Sequence, residues 1–459
     1  SLQEAGFKMI ILTAKHHDGF CLWPTSTTTH SIRSSGWKGG NGDIVGEVKD
    51  ACDKHGMKFG VYLSPWDRNA ESYGDSPRYN AFFVEQLKEL LTNYGEIHEV
   101  WFDGANGEGP NGKRQIYDWA RFYHVIDSLQ PKAVKAIMGN DIRWVGNESG
   151  LGRETEWSVT PLNPDINEAI TEENKRLEIN PMSSDLGSRD LIAKARKLYW
   201  YPSEVDVSIR PGWFYHQEQD HQVKTLQQLV DIYYQSVGMN SVLLLNVPPD
   251  KRGLLHEADV ARLKEFGKYI RNTFEKNRIK EGDLVWTAKN GEQREFASTG
   301  DTINTVMLQE EIRKGQRVER FKVEGLIGNE WRTLAEGTTI GYKRLVKFDD
   351  CAPSRLRITI ADTRDKAHIL AVGAYLAPQI REQSDDLKLS DLSKEKCSIK
   401  EQHPLVVDMG DNHSINGFTY NPYEEEEAVF NYIFSVSGDG KSWTELKRGE
   451  FGNIKNNPV

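Results

Sequence analysis

With 459 residues, 38% hydrophobic and 27% charged, the chain is long enough for two or three domains with hydrophobic cores. Its formal net charge is −10 and its one clear run of like charges is acidic, so we expect no nucleic-acid partner. No stretch approaches the roughly 20 apolar residues that a membrane span needs. The four cysteines show neither a disulfide framework nor a zinc-ligand spacing.

Short apolar strands alternate with amphipathic helices up to about residue 250. The predicted strands are 8–14, 58–64, 99–104, 133–139, 154–160, 204–210 and 241–247. The predicted helices are 43–56, 79–95, 114–129, 221–236 and 258–274. Strands with continuous apolar runs are covered on both faces, which indicates a parallel sheet. We therefore predict an α/β fold, a (β/α)8-like barrel over residues 1–280.

The first strand of this barrel is expected to be missing from the chain. A (β/α)8 barrel has eight strands, whereas the pattern predicts seven, and the opening stretch LQEAGFK is typical of the end of a helix. The chain begins with neither Met nor a signal peptide, so its N-terminus does not indicate a compartment. A doubly wound sheet is the alternative, but no Gly-rich phosphate loop follows an early strand.

The pattern changes to short strands of Val, Ile, Thr and Phe after about residue 283. This texture predicts a β-sandwich over residues 281–380. A further all-β segment covers residues 381–459 and is short for a sandwich, so we expect it to be truncated.

Polar residues concentrate where the predicted barrel strands end. They are His16, His17 and Asp18, then 64–68, Asp103, Asn140 and Asp141, 210–213, and Asn246. The carboxyl ends of barrel strands carry the working residues of such folds. Solvated loops would account for the polar residues, but not for Trp66, Trp101 and Trp213 beside them. We therefore predict a site at this rim.

Two carboxylates are the candidates for chemistry at this rim. Asp103 ends the stretch EVWFDG and should emerge into the barrel mouth, although an Asp before a Gly is also a common turn residue. Glu148 lies on the Gly- and Asn-rich loop RWVGNESG, where a solvated surface charge is the plain alternative. Together, beside aromatic walls, they supply what a retaining glycosidase needs, a nucleophile and an acid/base.

The adjacent His16 and His17 also raise the possibility of a metal site. Neighbours on a regular strand point to opposite faces, so joint chelation would need a distorted backbone. Neutral imidazoles that hydrogen-bond sugar hydroxyls fit better, with buried core histidines as the plain alternative. We expect no metal and no cofactor, and a barrel metallohydrolase remains a third hypothesis.

Six stretches carry a resemblance to a known family. KHHDGFCLWP, VYLSPWDRN, VWFDGANG, RWVGNESG, VSIRPGWFYH and LLLNVPPDKRG occur in this order and together resemble the α-L-fucosidases of glycoside hydrolase family 29. The similarity covers about residues 5–275 and continues into the predicted sandwich. It implies a barrel followed by a sandwich, and hydrolysis of terminal fucose from oligosaccharides or glycoconjugates.

The resemblance implies a role for each matching residue. Asp103 matches the nucleophile, and the residues that match the fucose pocket are His16, His17, Tyr62, Trp101 and Trp213. The family's first-strand histidine has no counterpart here. The resemblance also implies a secreted or periplasmic protein.

Glu148 matches the acid/base of the subfamily that cleaves α-1,3/1,4-linked fucose. In the broader-specificity subfamily the acid/base lies elsewhere, and Glu204 and Glu156 are then the alternatives. Trp66 and Asp67, on a rim loop, could contact a second sugar of a branched, Lewis-type glycan. A non-catalytic glycan-binding protein with a decayed barrel is the rival hypothesis.

The stretch FSVSGDGKSW, residues 434–443, resembles the VSxDGxxW pattern of discoidin-like, galactose-binding-like sandwiches. The resemblance implies a hairpin turn at the glycines, with Trp443 packed in a core. Sugar binding by this segment is the alternative.

Overall fold

The computed structural model describes residues 1–164, 168–280, 284–380, 398–400, 406–408, 419–420, 431–450 and 457–458. The chain divides into two compact units, Ser1–Gln379 and Ile380–Val459. No helix of the described residues is long and apolar enough to cross a membrane.

The described part of the first unit holds eight α-helices and seventeen strands. The helices are α1 Leu2–Ala5, α2 Ile44–Lys54, α3 Ser76–Asn93, α4 Trp119–Leu129, α5 Glu168–Arg176, α6 Arg189–Lys194, α7 Leu226–Gln235 and α8 Glu257–Phe274. The strands are β1 Met9–Lys15, β2 Lys58–Leu63, β3 Glu99–Phe102, β4 Val134–Ile137, β5 Arg143–Trp144, β6 Val159–Thr160, β7 Tyr199–Trp200, β8 Ser203–Ser208, β9 Val242–Asn246, β10 Trp286–Ala288, β11 Gln293–Ala297, β12 Ile303–Glu310, β13 Val318–Ile327, β14 Glu330–Gly337, β15 Arg344–Cys351, β16 Arg355–Thr363 and β17 Ala367–Tyr375.

Seven parallel strands form the barrel. Their order is β1-β2-β3-β4 in one sheet and β5-β8-β9 in the other, and a parallel bridge between Ala136 and Ile142 joins the two sheets. Within the described residues, no strand pairs with the outer edges of β1 and β9. The predicted α/β class and the barrel are confirmed.

One predicted barrel strand is wrong. The fifth strand of the barrel is β5, not residues 154–160. Only Val159 and Thr160 of that stretch are extended, and they pair antiparallel with β7. The rest of the stretch is irregular because its polar groups find partners in the β-sandwich; for example, Gln316 accepts a hydrogen bond from the backbone N–H of Ser158 (2.9 Å).

Side-chain caps explain where several helices begin. Asp43 accepts a hydrogen bond from the Gly46 N–H ahead of α2 (2.9 Å), and Asp118 accepts one from the Arg121 N–H ahead of α4 (3.1 Å). Thr225 starts α7 with a reciprocal capping box to Gln228. These helices then cover the outer face of the barrel.

Both faces of β2, β3 and β8 are buried, as the continuous apolar runs predict, whereas β1 and β9 are partly exposed. Outside, the strands pack on α2, α3 and α4 through residues such as Val61, Phe83 and Phe122. Inside the barrel, Tyr62 and Trp101 belong to a smaller buried cluster. This cluster lies near the carboxyl ends of the strands, where the predicted site is.

Lys15, the last residue of β1, points away from the barrel interior and is fully buried. Its ammonium lies 3.1 Å from a carboxylate oxygen of Asp67 and donates to Gln86 (2.9 Å). Next to it, Cys21 bridges to Lys15 through the backbone, and burial raises the pKa of its thiol to about 12. Along the chain, the two rim histidines therefore lie between Lys15, which is paired with Asp67, and Cys21, whose thiol is buried and unreactive.

Two antiparallel sheets, β10-β17-β12-β15 and β11-β16-β13-β14, pack face to face as a β-sandwich around a common core. The predicted sandwich is confirmed as part of the fold. The barrel and the sandwich belong to one compact unit, Ser1–Gln379, and the predicted domain boundaries stay predictions.

In the second unit the described strands are β18 Ser398–Lys400, β19 Val406–Asp408, β20 Thr419–Tyr420, β21 Asn431–Val436, β22 Thr444–Glu450 and β23 Asn457–Pro458. They form three antiparallel pairs. The predicted hairpin joins β21 to β22, and the Asp439 carboxylate accepts the Lys441 and Ser442 N–H groups in its turn. Trp443 is 50% exposed, so the expected core position is wrong. Most other residues of the predicted 381–459 domain lie outside those described.

Candidate active site

Asp103 directly follows β3 and reaches the rim with a partly exposed carboxylate. Its Oδ1 accepts a hydrogen bond from the Ala105 N–H (2.7 Å), and its Oδ2 accepts one from the Tyr62 hydroxyl (2.8 Å). His17 Nε2 lies 3.8 Å from the same Oδ2. The carboxylate is thus fixed in orientation while one side of it remains open.

Both histidine rings face this carboxylate, which requires the departure from a regular strand that joint chelation would need. β1 ends at Lys15, and the backbone then turns, with the Gly19 N–H donating to the His16 carbonyl (3.0 Å). The regular strand alternation therefore no longer applies, and the centroids of the His16 and His17 rings lie 4.0 Å apart.

The hydrogen bonds of His17 assign its tautomer. The Ser64 hydroxyl donates to the Trp66 carbonyl (2.7 Å), so it must accept from His17 Nδ1, also at 2.7 Å. Nδ1 then carries the hydrogen and Nε2 is an acceptor. Burial lowers the pKa of both His16 and His17, and the neighbouring imidazole lowers that of His16 further. Near neutral pH the pair therefore offers neutral hydrogen-bonding groups.

Stacked aromatic rings form one wall of the site. The His16 ring stacks on Tyr62 at 5.6 Å, and Tyr62 stacks on Trp101 at 5.1 Å. The Trp101 indole N–H donates to Glu204 inside the barrel (2.8 Å). The predicted pocket residues Tyr62 and Trp101 therefore lie together next to Asp103.

Phe214 contacts this wall, and sequence reasoning missed it. Its ring meets His16 edge-on at 5.0 Å. The predicted neighbour, Trp213, has a half-exposed side chain, and the structure records its backbone carbonyl as acceptor from Asn246 (3.0 Å). The aromatic run WFYH was the available signal, but it could not tell which ring turns towards the histidines.

Trp66 and Asp67 have different environments on the same loop. The Trp66 ring lies 4.8 Å from the His17 ring, and its N–H donates to the Glu108 carbonyl (3.0 Å). Asp67 is 2% exposed and accepts from the N–H groups of Asn69 and Ala70 besides pairing with the buried lysine. The predicted contact of Asp67 with substrate is therefore corrected, because no oxygen of its carboxylate is free.

Glu148 is an exposed residue of the loop that follows β5. Its charge, together with that of Asp103, acts on Asp206 of β8, a buried carboxylate that accepts from the Trp144 indole (2.8 Å). Burial, with these two charges added, raises the pKa of Asp206 to about 6. Asp206 is a second residue that the sequence analysis missed, hidden in an otherwise ordinary strand.

The alternative acid/bases are both 1% exposed. Glu204 faces the barrel interior beside Glu99, and burial raises the pKa of Glu204 to about 7. Burial and the neighbouring Glu204 also raise the pKa of Glu99 well above its usual range. Glu156 pairs with Arg143 and Arg153. Neither carboxyl group is open to a molecule at the rim.

In the part of the chain that the structure describes, one group of three side chains could hold a metal ion. His16, His17 and Asp103 place ligand atoms within 4.8 Å of one another. The metallohydrolase hypothesis therefore has a geometric basis. Geometry alone does not decide between it and a sugar-binding site, so similarity to known proteins is needed as a second criterion.

Comparisons with known proteins agree with one another. The family model for alpha-L-fucosidase matches residues 1–275. Alpha-L-fucosidase 1 of Arabidopsis thaliana is 38% identical over 82% of this chain and 77% of its own. A candidate alpha-L-fucosidase from Bacteroides ovatus is 56% identical over all of this chain and 80% of its own, with a TM-score of 0.83. A Ruminococcus gnavus GH29 fucosidase in complex with fucose is 30% identical over 82% of this chain and 84% of its own, with a TM-score of 0.71. With a parallel barrel, a β-sandwich and a histidine–carboxylate rim, the chain belongs to the alpha-L-fucosidases of glycoside hydrolase family 29.

Proposed function

We propose that the protein is a retaining exo-α-L-fucosidase that uses Asp103 as nucleophile and Glu148 as acid/base. The observation that carries the proposal is the setting of Asp103, a carboxylate fixed by the Tyr62 hydroxyl and a backbone N–H at the open end of the barrel. A nucleophile needs this combination of fixed orientation and access.

The reaction has two displacements. Asp103 attacks the anomeric carbon while the Glu148 carboxyl group protonates the departing glycosidic oxygen. The Glu148 carboxylate then takes a proton from water, which attacks the same carbon and releases Asp103. The configuration at that carbon is retained.

The remaining rim residues would bind the sugar. Neutral His16 and His17 can exchange hydrogen bonds with hydroxyl groups, and the acceptor Nε2 of His17 lies beside the nucleophile. The rings of Tyr62 and Phe214, which both contact His16, offer apolar surface for the methyl group of a 6-deoxy sugar. A relative that is 30% identical forms a complex with fucose.

We propose α-1,3/1,4-linked fucose on Lewis-type glycans as the substrate. Two observations support this choice over a broader specificity. The first is that Glu148 is exposed at the rim, whereas the alternative acid/bases Glu204 and Glu156 are buried. Trp66 also presents a half-buried ring beside His17, where a second sugar could stack. The family resemblance further supports a secreted or periplasmic location.

The test is a panel of substrates and two variants. Asp103→Ala should lose several orders of magnitude in turnover, and azide should restore part of it as the inverted fucosyl azide. The kcat/KM for Lewis a trisaccharide should greatly exceed that for 2′-fucosyllactose, and Trp66→Ala should reduce this ratio. Near-normal turnover by Asp103→Ala excludes the nucleophile, and a wild-type ratio near one excludes the linkage preference. A glycan-binding protein without activity would bind both trisaccharides and cleave neither.

A further inference from the structure

The loop that carries Glu148 is attached at both ends to one buried carboxylate. Arg143 precedes Glu148 by five residues and Arg153 follows it by five. Arg143 Nη2 hydrogen-bonds Glu156 Oε1, and Arg153 Nη1 donates to Glu156 Oε2 (3.2 Å). Glu156 therefore closes the loop at its base through an ion pair on each side.

This three-residue ion group is buried. Arg143 is fully buried, Glu156 is 1% exposed, and the Arg153 side chain is 11% exposed. Glu156 Oε1 also accepts the Trp157 N–H (3.0 Å), so both carboxylate oxygens are occupied. Buried charges are costly unless each is paired. The positions of Arg143 and Arg153 therefore depend on the Glu156 carboxylate.

Further contacts hold the sides of the loop, although its Gly- and Asn-rich sequence is typical of a flexible segment. Arg153 Nε donates to the Ser183 carbonyl (2.8 Å), and Arg153 Nη2 donates to the Pro181 carbonyl. That segment leaves no room for a side chain at Gly146, where a Cβ would lie 2.8 Å from the Pro181 carbonyl oxygen. On the other side, the Gly152 N–H donates to the Gln235 carbonyl of α7 (2.8 Å).

The β-sandwich holds the backbone of Glu156. Gln316 Nε2 donates to the Glu156 carbonyl (2.7 Å), and the Glu156 N–H donates to the Thr339 hydroxyl (3.1 Å). Both partners lie more than 150 residues away in the chain. The sandwich thus contributes to fixing the residue on which the two ends of the loop depend.

We infer that Glu156 is a positioning residue for Glu148: it holds Arg143 and Arg153, and through them the acid/base loop, in a working geometry braced by the β-sandwich. The inference rests on the proposed role of Glu148 as acid/base. Loss of the Glu156 charge should displace Glu148 and weaken proton transfer to the leaving group, while the nucleophile stays in place.

The experiment compares kcat/KM for Lewis a trisaccharide, whose leaving group needs a proton, with that for 2-chloro-4-nitrophenyl α-L-fucoside, whose leaving group does not. Glu156→Gln should lose about 100-fold on the trisaccharide, since small displacements of a catalytic group can have effects of this size. It should lose less than about 3-fold on the activated fucoside, because that substrate does not use the acid. Glu324→Gln, in a Glu–Arg pair within the sandwich, is the matched control and should change neither constant.

Arg153→Met covers the case in which Glu156→Gln does not fold. It removes the attachment at one end of the loop but leaves the Arg143–Glu156 pair, and it should give the same selective loss. In a double variant, Glu148→Gln with Glu156→Gln, the loss on the trisaccharide should equal that of Glu148→Gln alone, since both act on one proton transfer.

The outcomes separate the inference from the proposed function. If Glu148→Gln shows no dependence on the leaving group, the acid/base assignment fails, and the inference fails with it. If Glu148→Gln is selective but Glu156→Gln and Arg153→Met lower both constants equally, only the inference is overturned. A double variant whose loss is the product of the single losses overturns it as well.

Discussion

Glu204 makes the stability of the barrel unit depend on pH. Its carboxyl group is buried inside the barrel beside Glu99, accepts from the Trp101 indole, and has a pKa raised by burial from 4.5 to about 7. The native state therefore binds this proton more tightly than the unfolded chain does. Stability from this group is fully present below pH 4.5 and is lost as the pH rises through about 7.

The size of the effect follows from the pKa difference. Each pKa unit corresponds to about 1.36 kcal/mol, so the change from 4.5 to about 7 corresponds to about 3 kcal/mol. For a unit that spans Ser1–Gln379, an unfolding entropy of about 2.1 cal/mol/K per residue converts this into about 4 °C in Tm. Glu204→Gln keeps an acceptor for Trp101 without titrating, so the fall in Tm between pH 5 and pH 8 should shrink by about that amount. Loss of the Glu204 charge, which helps to raise the pKa of Glu99, acts in the same direction.

Thermal unfolding of wild type and Glu204→Gln at pH 5 and pH 8 measures this difference. Glu324→Gln is the control, because its Arg357 partner lowers the pKa of Glu324 and the group stays ionised at both pH values. An unchanged fall in Tm for Glu204→Gln, or an equal flattening in the control, would refute the reasoning.

Tyr62→Phe removes a hydrogen bond to the charged Asp103, worth about 1.5–3 kcal/mol, so kcat/KM should fall about 10- to 100-fold with unchanged circular dichroism; full activity would contradict the contact. Gly107→Ala places a Cβ 2.2 Å from the Trp66 ring, so the ring must shift. The Lewis a to 2′-fucosyllactose ratio should then fall, and a constant ratio would separate Trp66 from linkage preference. Asp67→Asn leaves the buried Lys15 without its counter-charge and should lower the free energy of unfolding by about 3–5 kcal/mol. The Lewis a to 2′-fucosyllactose ratio should stay at the wild-type value, and a changed ratio would show that Asp67 does contact the substrate.

The barrel and part of its rim could be predicted because their signals are local. A parallel strand buried on both faces gives a continuous apolar run, as in β2 and β3, and the residue after it must emerge at the carboxyl edge. This argument leads directly to Asp103, whereas Tyr62, inside β2, was indicated only by the family resemblance. It needs no knowledge of which distant residues pack against the strand.

The errors concern partners that are far away in the chain. The stretch 154–160 has Trp157 and Val159 at alternate positions, as a strand can, but Gln316 and Thr339 of the sandwich satisfy its backbone polar groups instead. From its place in the sequence Asp67 is expected at the rim, but its carboxylate forms a buried ion pair with Lys15, 52 positions earlier in the chain. The direction of the Phe214 ring depends on a loop backbone that no periodicity describes.

The buried thiol of Cys21 provides a natural reporter of local opening. Alkylating reagents attack the thiolate, and a thiol with a pKa near 12 and no exposed surface reacts only when its segment opens to solvent. That segment begins with His16 and His17. The alkylation rate of Cys21, followed by peptide mass spectrometry on unsubstituted protein, therefore reports how often the histidine turn comes away from the barrel. A sugar held by both rings should slow that rate.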